Sequence, residues 1–166
     1  QYGTDFLAVM PTNLYGIGDN FDLRTSHVIP ALIRKFHEAK RDGAASVEIW
    51  GTGDTRREFL FADDLADACI FLMENYSANQ IGGFVNVGTG TEITIRGLAN
   101  MIQRIVGFTG EIQYDPQKPE GMTRKLLDIS RLTALGWKPS VSLEEGLRRT
   151  YEWFVRKEKT IGTEKK

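Results

Sequence analysis

His27 is one of two histidines in the chain. It opens a helical pattern just after a loop rich in glycine, amide and carboxylate side chains, Pro11-Thr12-Asn13-Leu14-Tyr15-Gly16-Ile17-Gly18-Asp19-Asn20-Phe21. An imidazole titrates near neutral pH, so it can take up and return a proton under ordinary conditions. An apolar strand runs into this loop and a helix leaves it, and a strand end beside a helix N-terminus is where open α/β sheets place ligands. Groups suited to anions or flat surfaces lie downstream. Lys35 follows His27 by two helical turns, about 12 Å along the axis. Trp50 borders a glycine loop, Arg57 carries a fork that matches phosphate oxygens, and Lys125 sits in a short basic run. Each residue also has a plainer reading. Gly16, Gly18, Asp19 and Asn20 are turn formers, Ser26 is a helix N-cap, and His27 is a helix-start imidazole. His37 reads as a surface helix residue.

The elements that would position these groups follow from the hydrophobic pattern. Residues 6–10 form a continuous apolar run, as in a strand covered on both faces. A helix is expected over about 27–41, with Val28, Leu32, Phe36 and Ala39 as its apolar stripe. Residues 46–50 alternate as a strand, 51–57 form a loop, and 58–61 are extended. Asp63 and Asp64 favour a helix start, and Leu65, Cys69, Leu72 and Tyr76 share a face of that helix. Residues 84–87 are a strand. Thr94 caps a helix that Gly107 ends, and 111–114 form a strand. Residues 115–123 are loop. A short helix spans about 130–135. The last helix runs from 143 to about 156, and the tail after it is expected to fray. Strands alternating with helices give an α/β fold.

The 166 residues suffice for one real core, and the net charge of −1 gives no sign of a nucleic-acid tract or a membrane surface. No apolar run has the length of a membrane span. The single Cys69 cannot form an internal disulfide, which fits a reducing cytoplasm. No Gly-x-Gly-x-x-Gly follows a strand, and the one Tyr-x-x-x-Lys spacing, Tyr114 to Lys118, runs from a strand end into a proline-containing loop.

Residues 1–154 resemble the family of GDP-L-fucose synthases, members of the extended short-chain dehydrogenase/reductase superfamily. The resemblance is carried by Pro11-Thr12-Asn13-Leu14, Ser26-His27-Val28-Ile29-Pro30, Arg57-Glu58-Phe59 and Arg124-Lys125-Leu126-Leu127-Asp128. It implies the C-terminal part of an NAD(P)-binding Rossmann-type fold: the last strands of the cofactor domain interleaved with a small sugar-nucleotide domain, as one partial unit over 1–166. The implied reaction converts GDP-4-keto-6-deoxy-D-mannose to GDP-L-fucose by 3,5-epimerisation and NADPH-dependent 4-reduction. Within that reading His27 is the general acid and lies by NADP, and Pro11, Thr12, Asn13 and Leu14 pass its nicotinamide end. Lys35, Trp50, Arg57 and Lys125 hold the GDP-sugar. No metal is expected, and the whole enzyme would be a cytoplasmic homodimer. Arg56 and Arg57 are not separable at this level.

The family's Tyr-x-x-x-Lys pair would lie upstream, so the chain reads as a fragment that is inactive in isolation. Two departures stand out. Glu120-Gly121-Met122-Thr123 replaces the usual Asp-Gly-Thr-Pro, which is expected to loosen the loop presenting Lys125. Gly97 replaces a helix-favouring glutamate, at a cost of up to about 1 kcal/mol. The alternatives are another nucleotide-sugar epimerase or dehydratase of the superfamily, and a non-catalytic nucleotide-sugar binding module.

Overall fold

The computed structural model describes residues 3–163, with side chains up to residue 158. In chain order the elements are β1 (Ala8–Pro11), β2 (Asn13–Tyr15), α1 (Val28–Asp42), β3 (Ser46–Trp50), β4 (Arg56–Phe61), α2 (Ala62–Asn75), α3 (Ala78–Ile81), β5 (Phe84–Val87), β6 (Glu92–Thr94), α4 (Ile95–Val106), β7 (Glu111–Asp115), β8 (Arg124–Lys125), α5 (Ser130–Ala134) and α6 (Leu143–Thr163). The expected α/β alternation is present.

The chain changes sheets at Thr12. Before it, β1 pairs in parallel with β5; after it, β2 pairs in parallel with β4. β4 also takes β6 antiparallel and β8 in parallel, while β3 and β7 form a separate parallel pair. Because side chains alternate along a strand, β4 serves two cores. Phe59 and Phe61 pack with Tyr15, Ile33, Phe36 and Leu98, and Leu60 packs on the other side with Leu72, Val85 and Trp137. β4 is thus the wall between the two halves of the interior.

Several expectations change in the folded chain. Ser26 is not the cap of α1. The N-cap position falls on His27, whose carbonyl accepts the first helical bond from Ala31, and the Ser26 hydroxyl is buried without a partner. Local turns at Asp22 account for the one-residue shift, since the Asp22 carbonyl accepts the Ser26 N–H and the Asp22 carboxylate accepts the Arg24 N–H. Thr94 does cap α4, accepting the Gly97 N–H at 3.0 Å. Gly97 has a packing reason as well, because an added Cβ would stand 3.1 Å from Ile93.

His37 is a tie between α1 and α6 rather than a surface residue. Its Nδ1 lies 3.1 Å from the Tyr151 hydroxyl and its Nε2 lies 3.0 Å from the Glu158 carboxylate. The first strand is not covered on both faces: Met10 on β1 and Phe84 on its partner β5 are each 54 % exposed. β2, α3 and β6 are additional short elements. α6 runs on to Thr163, past the expected end near residue 156 and through most of the tail expected to fray. Residues 164–166 of that tail lie outside the described residues.

Candidate active site

A cavity of about 940 Å³ opens where the start of α1, the loop after β2, the end of β3 and the beginning of β4 meet. Seven of the residues singled out from the sequence line it: Thr12, Asn13, Leu14, His27, Lys35, Trp50 and Arg57. Pro11 and Lys125 do not. Pro11 is paired within β1, opposite Val87. Lys125 stands next to the cavity through the β4–β8 register, which sets it opposite Arg57.

The cations fall into two groups. Arg56 and Arg124 face the same carboxylate, Glu92, at 3.5 Å and 2.7 Å. Arg57 binds only carbonyls, those of Arg56 at 2.7 Å and Glu120 at 3.5 Å. Lys35 donates to the Glu48 carbonyl at 3.1 Å. Among the described residues no carboxylate forms an ion pair with Lys35, Arg57 or Lys125. Positive charge is therefore left unneutralised at and beside the cavity, and only for the arginine that lines it. Arg56 and Arg57 differ in this respect although they are neighbours.

Trp50, 57 % exposed, offers a ring face at the rim. The His27 ring is exposed and, among the described residues, makes no side-chain hydrogen bond. Tyr15, a third polar group of the lining, is not available as an acid. Burial first, and the Asp64 carboxylate second, push its phenol well above the ordinary range, and its hydroxyl donates to the Leu143 carbonyl.

The segment 12–14 is held tightly from behind. The Thr12 N–H donates to Val87, and the Thr12 hydroxyl and the Asn13 amide both donate to the Glu58 carbonyl, at 3.2 and 2.7 Å. The loop before Lys125 is anchored rather than loosened. The Glu120 carboxylate accepts the Thr52 N–H at 2.6 Å and the Thr52 hydroxyl at 3.1 Å, and the Arg56 N–H donates to the Thr123 carbonyl. Gly51 makes this closure possible: its φ is +82°, and any Cβ would collide with the Glu120 side chain. The sequence reading named Ser26 as a cap, Glu58 as part of a motif and Glu120 as a departure, and gave none of them a role in the site. For Glu58 the signal was the Arg57-Glu58-Phe59 motif, in which the arginine drew the attention.

The model of the NAD dependent epimerase/dehydratase family matches residues 1–88. The chain is 53 % identical over 156 residues to GDP-L-fucose synthase 1 of Arabidopsis thaliana, covering 94 % of this chain and 47 % of that protein. It is 50 % identical to the GDP-L-fucose synthase of Escherichia coli K12, covering 93 % and 50 %. A solved GDP-L-fucose synthetase of Naegleria fowleri bound to NADP superposes with a TM-score of 0.85 at 27 % identity, over 93 % of this chain and 48 % of that one. The chain thus spans about half the length of the curated relatives it matches. The fold is that of the Rossmann-type extended short-chain dehydrogenases.

Proposed function

The chain belongs to the NAD dependent epimerase/dehydratase family, and from that premise we propose that it supplies the sugar-nucleotide-binding share of an NADP-dependent GDP-L-fucose synthase. The observation that carries the reading is the set of groups at one cavity: the exposed His27 imidazole, Lys35 two helical turns beyond it and Arg57, both without carboxylate partners among the described residues, and the exposed Trp50 indole, with Lys125 beside them opposite Arg57. A nucleoside diphosphate sugar has the matching parts, with a sugar, two phosphates and a flat base. Similarity to the GDP-L-fucose synthases supports guanine as the base and a fucose-forming sugar.

The reaction makes two demands on these residues. Carbons 3 and 5 of the substrate flank a ketone, so their protons are acidic, and inversion returns each proton to the opposite face. His27 is the proton donor for that return, being the exposed imidazole among the residues that line the cavity. The diphosphate must be fixed so that the sugar stays beside His27, and Lys35, Arg57 and Lys125 do this by charge-assisted hydrogen bonds. NADPH, when bound, would supply the hydride that reduces carbon 4 and leave as NADP+. Residues Pro11, Thr12, Asn13 and Leu14, with His27, would hold its nicotinamide end. The rigid backing of 12–14 by Glu58 and Val87 fits that duty. The single Cys69 and the nucleotide-sugar chemistry support a cytoplasmic enzyme, and resemblance to the synthases supports a homodimer for the whole protein.

Titration of the chain with GDP, with UDP as control, tests the reading by calorimetry and by NMR of the arginine and tryptophan side chains. GDP is expected to bind more tightly and to shift the Arg57 and Trp50 signals. Equal or absent response to the two nucleotides would sink the assignment.

A further inference from the structure

Glu58 has no exposed surface, and among the described residues no cation forms an ion pair with it. A buried carboxylate is costly unless its lone pairs are satisfied. Here they are. One oxygen accepts the N–H groups of Thr89 at 2.6 Å and Gly90 at 2.7 Å, and the Thr89 hydroxyl at 3.3 Å. The other accepts the Leu127 N–H at 3.0 Å. A carboxylate offers only acceptors, and every partner here is a donor. Gly88 leaves the room for it, since a Cβ at that position would collide with the carboxylate. The carbonyl of the same residue holds the Thr12 hydroxyl and the Asn13 amide.

We propose that Glu58 is a positioning residue, one that fixes the Thr12–Asn13 segment and the cations Arg57 and Lys125 in a single frame by hydrogen bonds to three separate stretches of chain. Arg57 precedes it on β4, so the alternation that buries Glu58 turns Arg57 to the cavity. Leu127 follows Lys125 by two residues. β8 is two residues long, and it is tied at one end by the bond from Arg56 N–H to Thr123 and at the other by the bond from Leu127 N–H to Glu58. Removing the second tie leaves β8 held at one end, and Lys125 loses its place opposite Arg57. The same carboxylate clamps turn 88–90 to β4, where the Glu58 carbonyl holds Thr12 and Asn13. The role assigned here rests on the functional reading above only for what the frame is used for; the frame itself is a matter of geometry.

The test compares wild type, Glu58→Gln and Gly88→Ala. Glutamine keeps the volume but turns an NH₂ group toward main-chain N–H donors. Alanine at 88 reaches the carboxylate from the opposite side. In both variants the amides of Leu127, Thr89 and Gly90 are expected to exchange faster, and the Arg57–Lys125 contacts in NMR spectra are expected to disappear. Exchange in α1 and α4 should stay as in wild type. GDP affinity should fall about tenfold, the loss of roughly one charge-assisted hydrogen bond. Three outcomes overturn the proposal. The first is retained Leu127 protection and β8 pairing in both variants. The second is uniform loss of protection across α1 and α4, or unfolding of both variants, which would make Glu58 a core residue only. The third is lost pairing with unchanged GDP affinity. Failure of wild type to bind GDP would instead sink the functional reading, because the pairing measurement needs no ligand.

Discussion

Arg56 and Arg57 are adjacent, chemically identical and set apart by one alternation of a strand. Arg56 shares Glu92 with Arg124, whereas Arg57 lines the cavity with only carbonyls around it. If a diphosphate is the missing partner, Arg57→Ala should weaken GDP binding by about 10- to 100-fold, the value of a hydrogen bond to a charged group. Arg56→Ala should change it little, and the contribution of Arg57 should shrink as salt rises. Calorimetry on the two variants at two ionic strengths decides the point, and equal losses would remove the distinction. His27 can be isolated in a similar way, in a chimera joining this chain to the remaining half of a relative. Replacing it by glutamine should slow deuterium uptake at carbons 3 and 5 of the keto-sugar by about 10²–10⁴-fold, the usual contribution of a general acid. Normal uptake with weakened NADP binding would leave His27 a cofactor contact only.

At the scale of elements, the aromatic residues that knit helices to sheet carry a pH dependence. The phenols of Tyr15, Tyr114 and Tyr151 are all raised above the ordinary value of 10.0, in each case first by burial. Asp64 adds to the shift at Tyr15 and Glu158 to that at Tyr151, while the Arg96 charge opposes it at Tyr114. A raised folded-state value means a contribution to stability that is complete below the unfolded value and is lost as pH climbs through the folded one. The denaturant midpoint is therefore expected to fall as pH passes 10.0, and Tyr15→Phe should flatten part of that fall; an identical alkaline profile in the variant would refute the link. Much of this architecture was legible beforehand. The stripe of α1, the Thr94 cap and the Gly107 stop follow from local chemistry, and the structure keeps them. The misses are elements without local signal. β6 and β8 are three and two residues long, and they exist because β4 offers them an edge. His37 looked solvated because nothing in α1 reveals that α6 will lay Tyr151 and Glu158 against it. In the site, the cavity-lining charges were readable by type and spacing. Glu58 and Glu120 were not, since their partners lie 31 to 69 residues away.

For the molecule as a whole, binding and turnover should separate. The cavity, its cations and the imidazole all come from this chain. The one Tyr-x-x-x-Lys spacing in the 166 residues, Tyr114 to Lys118, runs from β7 into a turn and does not line the cavity, so it is not placed to protonate the carbon-4 alkoxide, and no Gly-x-Gly-x-x-Gly turn for the cofactor pyrophosphate occurs. The chain also spans about half the length of the synthases it matches. β1 and β5, the strands nearest the expected cofactor side, leave Met10 and Phe84 half exposed. On the proposed function, these 166 residues hold the GDP-sugar and do not themselves bring the groups that complete reduction to the cavity. The expected result is measurable GDP affinity together with no oxidation of NADPH in the presence of GDP-4-keto-6-deoxy-D-mannose. The assay follows NADPH absorbance with the purified chain at saturating keto-sugar, and a relative spanning the whole length serves as the positive control. Steady turnover by the chain alone would mean that some other donor protonates the alkoxide. Among the residues lining the cavity, the exposed His27 imidazole would then be the first to substitute.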